Sequence, residues 1–181
     1  MTFQLHDIES APEASKELLA GSQKAFGMIP NLHAVMAESP AVLESYKFLH
    51  ERFQNSSFNN DELTVIWQTI NVENSCHYCV PAHTGIANMM KVDQAITEAL
   101  RNRTTLPSEK LQQLHETTLE LVRERGILSK ETLTKVFEAG YNKRHLLEII
   151  LGISQKVMSN YINHLANTPV DKAFESFVWK K

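Results

Sequence analysis

The chain has 181 residues, about the length of one domain and enough to bury a sizeable core. Its 43% hydrophobic and 22% charged residues match an ordinary folded globule, which excludes disordered and collagen-like classes. A net charge of −3, from 18 basic and 21 acidic residues, leaves no basic stripe for nucleic acid, and no apolar run approaches the ~20 residues needed to cross a bilayer.

Taken in chain order, the residues repeat almost everywhere at helical spacing, and no segment alternates as a strand would. Leu18, Leu19, Ser22, Ala25 and Phe26 form the first stripe, with Gly27 as its stop. Ser39-Pro40 opens a second helix with Val42, Tyr46, Leu49 and Phe53 on one face. Asn59 and Glu62 have the spacing of a capping box ahead of Leu63, Ile66, Trp67 and Ile70. A helix follows the two cysteines to about Met90, and Asp93 caps a short one reaching Leu100. Leu111, Leu114, Thr118, Leu121 and Val122 make a longer stripe ending at Gly126. Ser129 caps a helix carrying Leu133, Val136 and Phe137, stopped by Gly140. Asn142 caps the longest helix, to about Leu165, because Thr168-Pro169 cannot continue it. Its first half, His145 to Ile153, is apolar around most of its circumference, which predicts burial on every side, at the bundle centre or at a subunit interface. The expectation is an all-α, single-domain bundle of eight or nine helices over residues 1–181.

The chemistry concentrates in Ser75-Cys76-His77-Tyr78-Cys79-Val80-Pro81-Ala82-His83. Two cysteines three positions apart can close a small disulfide ring, a spacing used by redox proteins. Cys79 and His83 are neighbours on one helical face, where an imidazole can take the thiol proton and the thiolate becomes a nucleophile. Pro81 requires an irregular first turn or a helix that begins just before it; either leaves Cys79 near a helix N-terminus, which also favours the thiolate. Three other readings compete. Cys76, Cys79 and His83 could bind zinc with His77 or a distant histidine, although no second CxxC completes the set. The cysteines could be buried small hydrophobes. A thioredoxin-like unit would need strands that the sequence lacks. Covalent haem is excluded, since Val80 stands where it requires a histidine. Tyr78 is divided between packing and a proton relay, His77 reads as solvated, His164 as a core or interface histidine, and Met89-Met90 as helix filling.

The stretch Glu62-Leu-Thr-Val-Ile-Trp followed by Asn74-Ser-Cys-His-Tyr-Cys-Val-Pro-Ala-His resembles the alkylhydroperoxidase D-like branch of the carboxymuconolactone decarboxylase superfamily. Flanking segments fit as well: Pro30-Asn-Leu, Ala139-Gly-Tyr and Asn160 to Asp171, so that the resemblance spans roughly residues 25 to 179. It implies a helical bundle of that type, assembly into trimers or hexamers, no cofactor or metal, and thiol peroxidase or disulfide reductase activity. Cys79 would attack the hydroperoxide, Cys76 would resolve the sulfenic acid as a disulfide, and His83 and Tyr78 would relay protons. A thiol or protein reductant would return the electrons. The sequence departs from the family at Thr64, where a relay glutamate usually stands; Glu62 is already used as a cap, Glu73 falls at the turn, and Gln68 is expected level with Cys79, able to orient a water. Alternatives are a lactone-processing decarboxylase, as in the superfamily's other branch, and a redox-sensing binding protein without turnover. The N-terminus lacks a secretory layout, which predicts a cytoplasmic enzyme.

Overall fold

Asn59 and Glu62 cap each other as their spacing predicts: the Asn59 side chain accepts from the Glu62 amide and the Glu62 carboxylate from the Asn59 amide, both at 3.0 Å. They start α4 (Asn60–Glu73), whose residues Glu62 to Val72 are all buried. In the computed structural model, which describes residues 3–180, α4 is the axis of the bundle. Around it in chain order lie α1 (Glu13–Phe26), α2 (Asn31–Met36), α3 (Pro40–Gln54), α5 (Cys79–Met89), α6 (Gln94–Asn102), α7 (Glu109–Arg123), α8 (Lys130–Glu138) and α9 (Lys143–Ala166), closed by a 3-10 helix, Lys172–Phe177. The described residues thus hold nine α-helices and one 3-10 helix, and no strand. None of the helices is long and apolar enough to cross a membrane.

The stops and caps follow from local chemistry. Gly27 and Gly140 take left-handed φ values of 72° and 92°, which cost glycine little and other residues more. Asp93, Ser129 and Asn142 each accept a hydrogen bond from a first-turn amide of the helix they open. Ser75, at φ 55°, turns the chain out of α4 toward Cys76.

Two apolar clusters hold the bundle. One joins α4 to α3, α6, α7, α8 and the start of α9 through Phe53, Ile66, Trp67, Leu100, Leu114, Val136 and Ile149. The other packs α1, α2 and α3 around the two cysteines. Where α9 crosses α3 and α4, a Cβ on Gly152 would meet the Phe53 ring at 2.8 Å, so the absence of a side chain sets the approach.

The first half of α9 does not take the bundle centre, one of the two places expected for it. Ile149 and Gly152 are buried, but Leu147 is 73% exposed and Ile150 39% exposed. Its apolar circumference is therefore not enclosed within the chain, and α4 holds the central place. The reason lies in the second half of α9, whose inward face is polar: Gln155, Lys156, Ser159, Asn160 and Asn163 are all buried. They continue the phase of Ile149 and Gly152 at helical spacing, so one stripe of α9 passes from apolar core to polar site.

Candidate functional site

Cys79 is the first residue of α5, and Pro81 falls inside its first turn, where the missing N–H breaks no intrahelical bond. Cys76 sits in the preceding turn, fixed by its amide to the Asn71 carbonyl at 2.9 Å. The Cys79 amide donates to the Cys76 sulfur at 3.2 Å, so the two residues are held face to face, both as free thiols and both buried.

The environment of Cys79 comes mainly from α9. Asn163 Nδ2 donates to its sulfur at 3.2 Å, and Ser159 Oγ lies 4.0 Å away. Asn160 is held by Asn74 at 2.8 Å and itself donates to Asn71 at 3.0 Å, tying α9 to the end of α4. Lys156 is 1% exposed and directs its Nζ to His83 Nε2 at 3.0 Å. Burial pushes the Cys79 thiol up, but the Cys76 hydrogen bond, the Lys156 charge and the Asn163 and Asn160 amides outweigh it and bring the thiol down to about 5. Cys76 moves the other way, raised by the hydrogen bond to Cys79, by burial and by the neighbouring negative charge. At neutral pH the pair is therefore one thiolate and one thiol.

The structure brings Cys76 and Cys79 together and sets His83 one turn on, but His83 has Lys156 rather than a sulfur as its hydrogen-bond partner. Burial, the Lys156 charge and His50 hold its pKa well below the ordinary value, so it stays a neutral imidazole. A lysine ammonium has only protons to give, so Nε2 accepts and Nδ1 carries the ring hydrogen. The charge that ionises Cys79 thus comes from Lys156, which the sequence reading missed. Lys156 lies 73 residues beyond His83, and its only sequence signal is a place on the polar continuation of a buried stripe.

The Tyr78 hydroxyl is bonded to partners other than the sulfurs. It donates to Asp171 at 2.5 Å and accepts from the Leu32 amide at 3.2 Å. Asp171 also accepts from the Asn31 amide at 2.9 Å, so the tyrosine joins α2, α5 and the C-terminal segment. Gln68 donates to the Val80 carbonyl and to Thr84, each at 3.1 Å, and accepts from Asn71; its donors hold α5 rather than a water at the sulfur. Thr64 is buried on α4. Glu62 is engaged by Lys110 and Tyr141, and Glu73 pairs with Arg123 at 2.8 Å. His77 Nε2 donates to the Thr168 carbonyl at 3.0 Å and its ring stacks on His164, which is exposed rather than in the core. Among the described residues no group of three or more His, Cys, Asp or Glu side chains could hold a metal ion, and the zinc set Cys76, Cys79 and His83 is not gathered.

A cavity of about 630 Å³ opens beside Cys79. Its inner wall carries Tyr46, His50, Trp67, His83 and Lys156, and Phe174 and Phe177 of the 3-10 helix close one side. The rings form a continuous series, with centroids 6.1 Å apart from Tyr46 to His50, 5.5 Å from His50 to Trp67 and 4.9 Å from Trp67 to His83. Burial, together with the Lys156 charge, also holds His50 down to about 4. No carboxylate lines the cavity among the described residues. A thiolate, a buried cation and an adjacent thiol on an apolar cavity can support nucleophilic attack followed by disulfide closure.

No protein-family model and no curated protein matches the sequence. Solved structures do match in fold. A protein described as an alkylhydroperoxidase AhpD core, an uncharacterized peroxidase-related protein from Ralstonia eutropha JMP134, superposes with a TM-score of 0.84 at 15% identity over 94% of this chain and 92% of that one. An uncharacterized peroxidase-related protein from Silicibacter sp. TM1040 gives 0.81 at 16% identity over 96% and 95%. The debrominase Bmp8, as a cysteine-to-alanine variant in complex with 2,3,4-tribromopyrrole, gives 0.76 at 15% identity over 97% and 95%. Over nearly its whole length, this chain has the alkylhydroperoxidase D-like helical fold.

Proposed function

We propose that the protein is a dithiol oxidoreductase that reduces hydroperoxides, with Cys79 as the attacking sulfur and Cys76 as the resolving one. The observation that carries this reading is Cys79 on a cavity wall, with its amide bonded to the Cys76 sulfur at 3.2 Å and its own sulfur held by Asn163, surroundings that lower its thiol pKa. The cavity has the volume of an organic-ligand site and a largely apolar wall, which supports an organic hydroperoxide as substrate. A protein or small-molecule thiol returns the electrons, and a dithiol that must be reduced between turnovers suits a reducing compartment such as the cytoplasm. Replacing Cys79→Ser should abolish thiol-dependent hydroperoxide consumption. Turnover that survives both Cys79→Ser and Cys76→Ser would point instead to a decarboxylase-like activity, and oxidation that stops after one equivalent to a sensor.

A second reading, reductive dehalogenation of a small aromatic compound by the same thiolate, draws on the fold shared with a debrominase and on the wall of rings. Thiol-dependent bromide release from tribromopyrrole, without hydroperoxide consumption, would favour it. A second copy of this chain is the proposed partner for the outer face of α9, where Leu147 and Leu165 are each 73% exposed and Tyr161 is 60% exposed. Light scattering should give a mass above one chain, and Leu147→Glu should lower it.

A further inference from the structure

Lys156 is an ammonium taken out of water, a burial that is unfavourable unless a counter-charge compensates. Among the described residues no carboxylate pairs with it. Its hydrogen-bond partner is the neutral His83, and the other titratable groups on the cavity wall are His33, Tyr46, His50, Tyr78 and Cys79. Cys79 alone can supply the missing negative charge. Lys156 and Cys79 both line the cavity that substrate would enter, so the thiolate is the one negative charge its wall can set against the ammonium, and only while the sulfur is reduced.

This has a chemical consequence, which rests on the dithiol reading above. We propose that Lys156 is the catalytic acid that protonates the oxygen leaving the hydroperoxide, in the position where the sequence supplies no relay carboxylate. The Cys79 thiolate attacks the terminal peroxide oxygen. A sulfur–oxygen bond forms, the oxygen–oxygen bond breaks, and its electron pair leaves on the alkoxide. Sulfur is oxidised by two electrons to the sulfenic acid and the peroxide is reduced. The alkoxide, far more basic than an amine, takes a proton from Lys156 Nζ and departs as the alcohol, leaving Lys156 a neutral amine that no longer needs a counter-ion. The Cys76 thiol then attacks the Cys79 sulfur, forming the disulfide and releasing water made of the sulfenic hydroxyl and the Cys76 proton. Two equivalents of an external thiol reduce the disulfide; one of their protons stays on Cys76 and the other passes from Cys79 to Lys156, which restores the thiolate and the ammonium. His83 cannot take this role alone, since its ring is already neutral and its Nε2 is the acceptor that orients the Lys156 ammonium.

The test separates charge from proton. An alkyl hydroperoxide expels a basic alkoxide and needs an acid; a peroxycarboxylic acid expels a carboxylate and does not. Rates of Cys79 oxidation are measured with both oxidants, at neutral pH, for the wild type, Lys156→Arg and Lys156→Met. Arginine keeps a positive charge but parts with its proton far less readily. For Lys156→Arg the ratio of alkyl hydroperoxide rate to peracid rate should fall at least about tenfold below wild type, while alkylation of Cys79 at acid pH persists. For Lys156→Met both the ratio and the acid-pH alkylation should fall, and a wild-type helical circular-dichroism spectrum shows that the variant is folded. A wild-type ratio in Lys156→Arg, or equal losses on both oxidants in both variants, overturns the acid role and leaves the dithiol reading standing. A wild-type enzyme inert to both oxidants overturns that reading and the inference with it.

Discussion

A thiol moved into a protein interior ordinarily keeps its proton, because burial penalises the anion. Cys79 ionises there because Cys76 and its neighbours on α9 supply more than burial removes, whereas Cys76 keeps its proton because its hydrogen bond to Cys79, burial and the neighbouring negative charge all raise it. The sequence made the sulfurs and His83 visible because their spacing is local. It could not show that His83 would turn to Lys156, since that contact is made by tertiary packing between α5 and α9. Tyr78 was equally divided between packing and relay, and its bonds to Asp171 and Leu32 support a structural role. Tyr78→Phe should therefore lower stability by about 1–3 kcal/mol, the cost of leaving a buried acceptor short of its donor. Cys79 alkylation should remain within a few-fold of wild type in the same variant. Thermal melting and alkylation rates measured together check this, and a large loss of thiol reactivity without loss of stability would restore the relay.

At the scale of elements, the helix starts and stops were legible because capping is a short-range code. The box at Asn59 and Glu62 and the caps at Asp93, Ser129 and Asn142 lie where their residue types put them. The two shortest elements, α2 and the 3-10 helix, were not, since six residues carry no periodicity to read. The identity of the central helix was also obscured. The polar Gln68, Thr69 and Asn71 make α4 look less buried than α9, yet each finds a partner inside the fold. The 3-10 helix matters to the site because it rests on α5 where there is no side chain: a Cβ on Gly85 would stand 2.5 Å from the Phe174 ring. Gly85→Ala should displace that helix from the cavity wall and cost about 1–3 kcal/mol. Limited proteolysis should cut the C-terminal segment faster in the variant; unchanged protection would show that the contact can relax.

For the whole molecule, the buried imidazoles and the dithiol tie stability to pH. Burial, with Lys47 and His50, brings His33 to about 3; burial and Lys156 bring His50 to about 4; His83 also lies well below 6.5. Below pH 6.5 the unfolded chain binds these protons and the folded chain does not, so stability falls as pH falls, by about 1.4 kcal/mol per pH unit for each such group. Cys79 acts in the same direction between its unfolded value of 9.0 and about 5. Cys76, raised above 9.0, acts oppositely, and its contribution is lost only as pH rises beyond that value. Urea midpoints of the reduced protein should rise from pH 5 to pH 7 to pH 9. Equal midpoints at pH 5 and pH 7 would mean that the imidazoles are not held neutral by the fold.

The account depends above all on Cys79 being a thiolate at neutral pH. The direct measurement is the pH dependence of its alkylation by iodoacetamide in the reduced wild-type protein, with the modified cysteine identified by mass spectrometry. A half-maximal rate near pH 5, with Cys79 labelled ahead of Cys76, is the predicted result. A midpoint near the 9.0 of an ordinary thiol, or labelling that begins at Cys76, would contradict it.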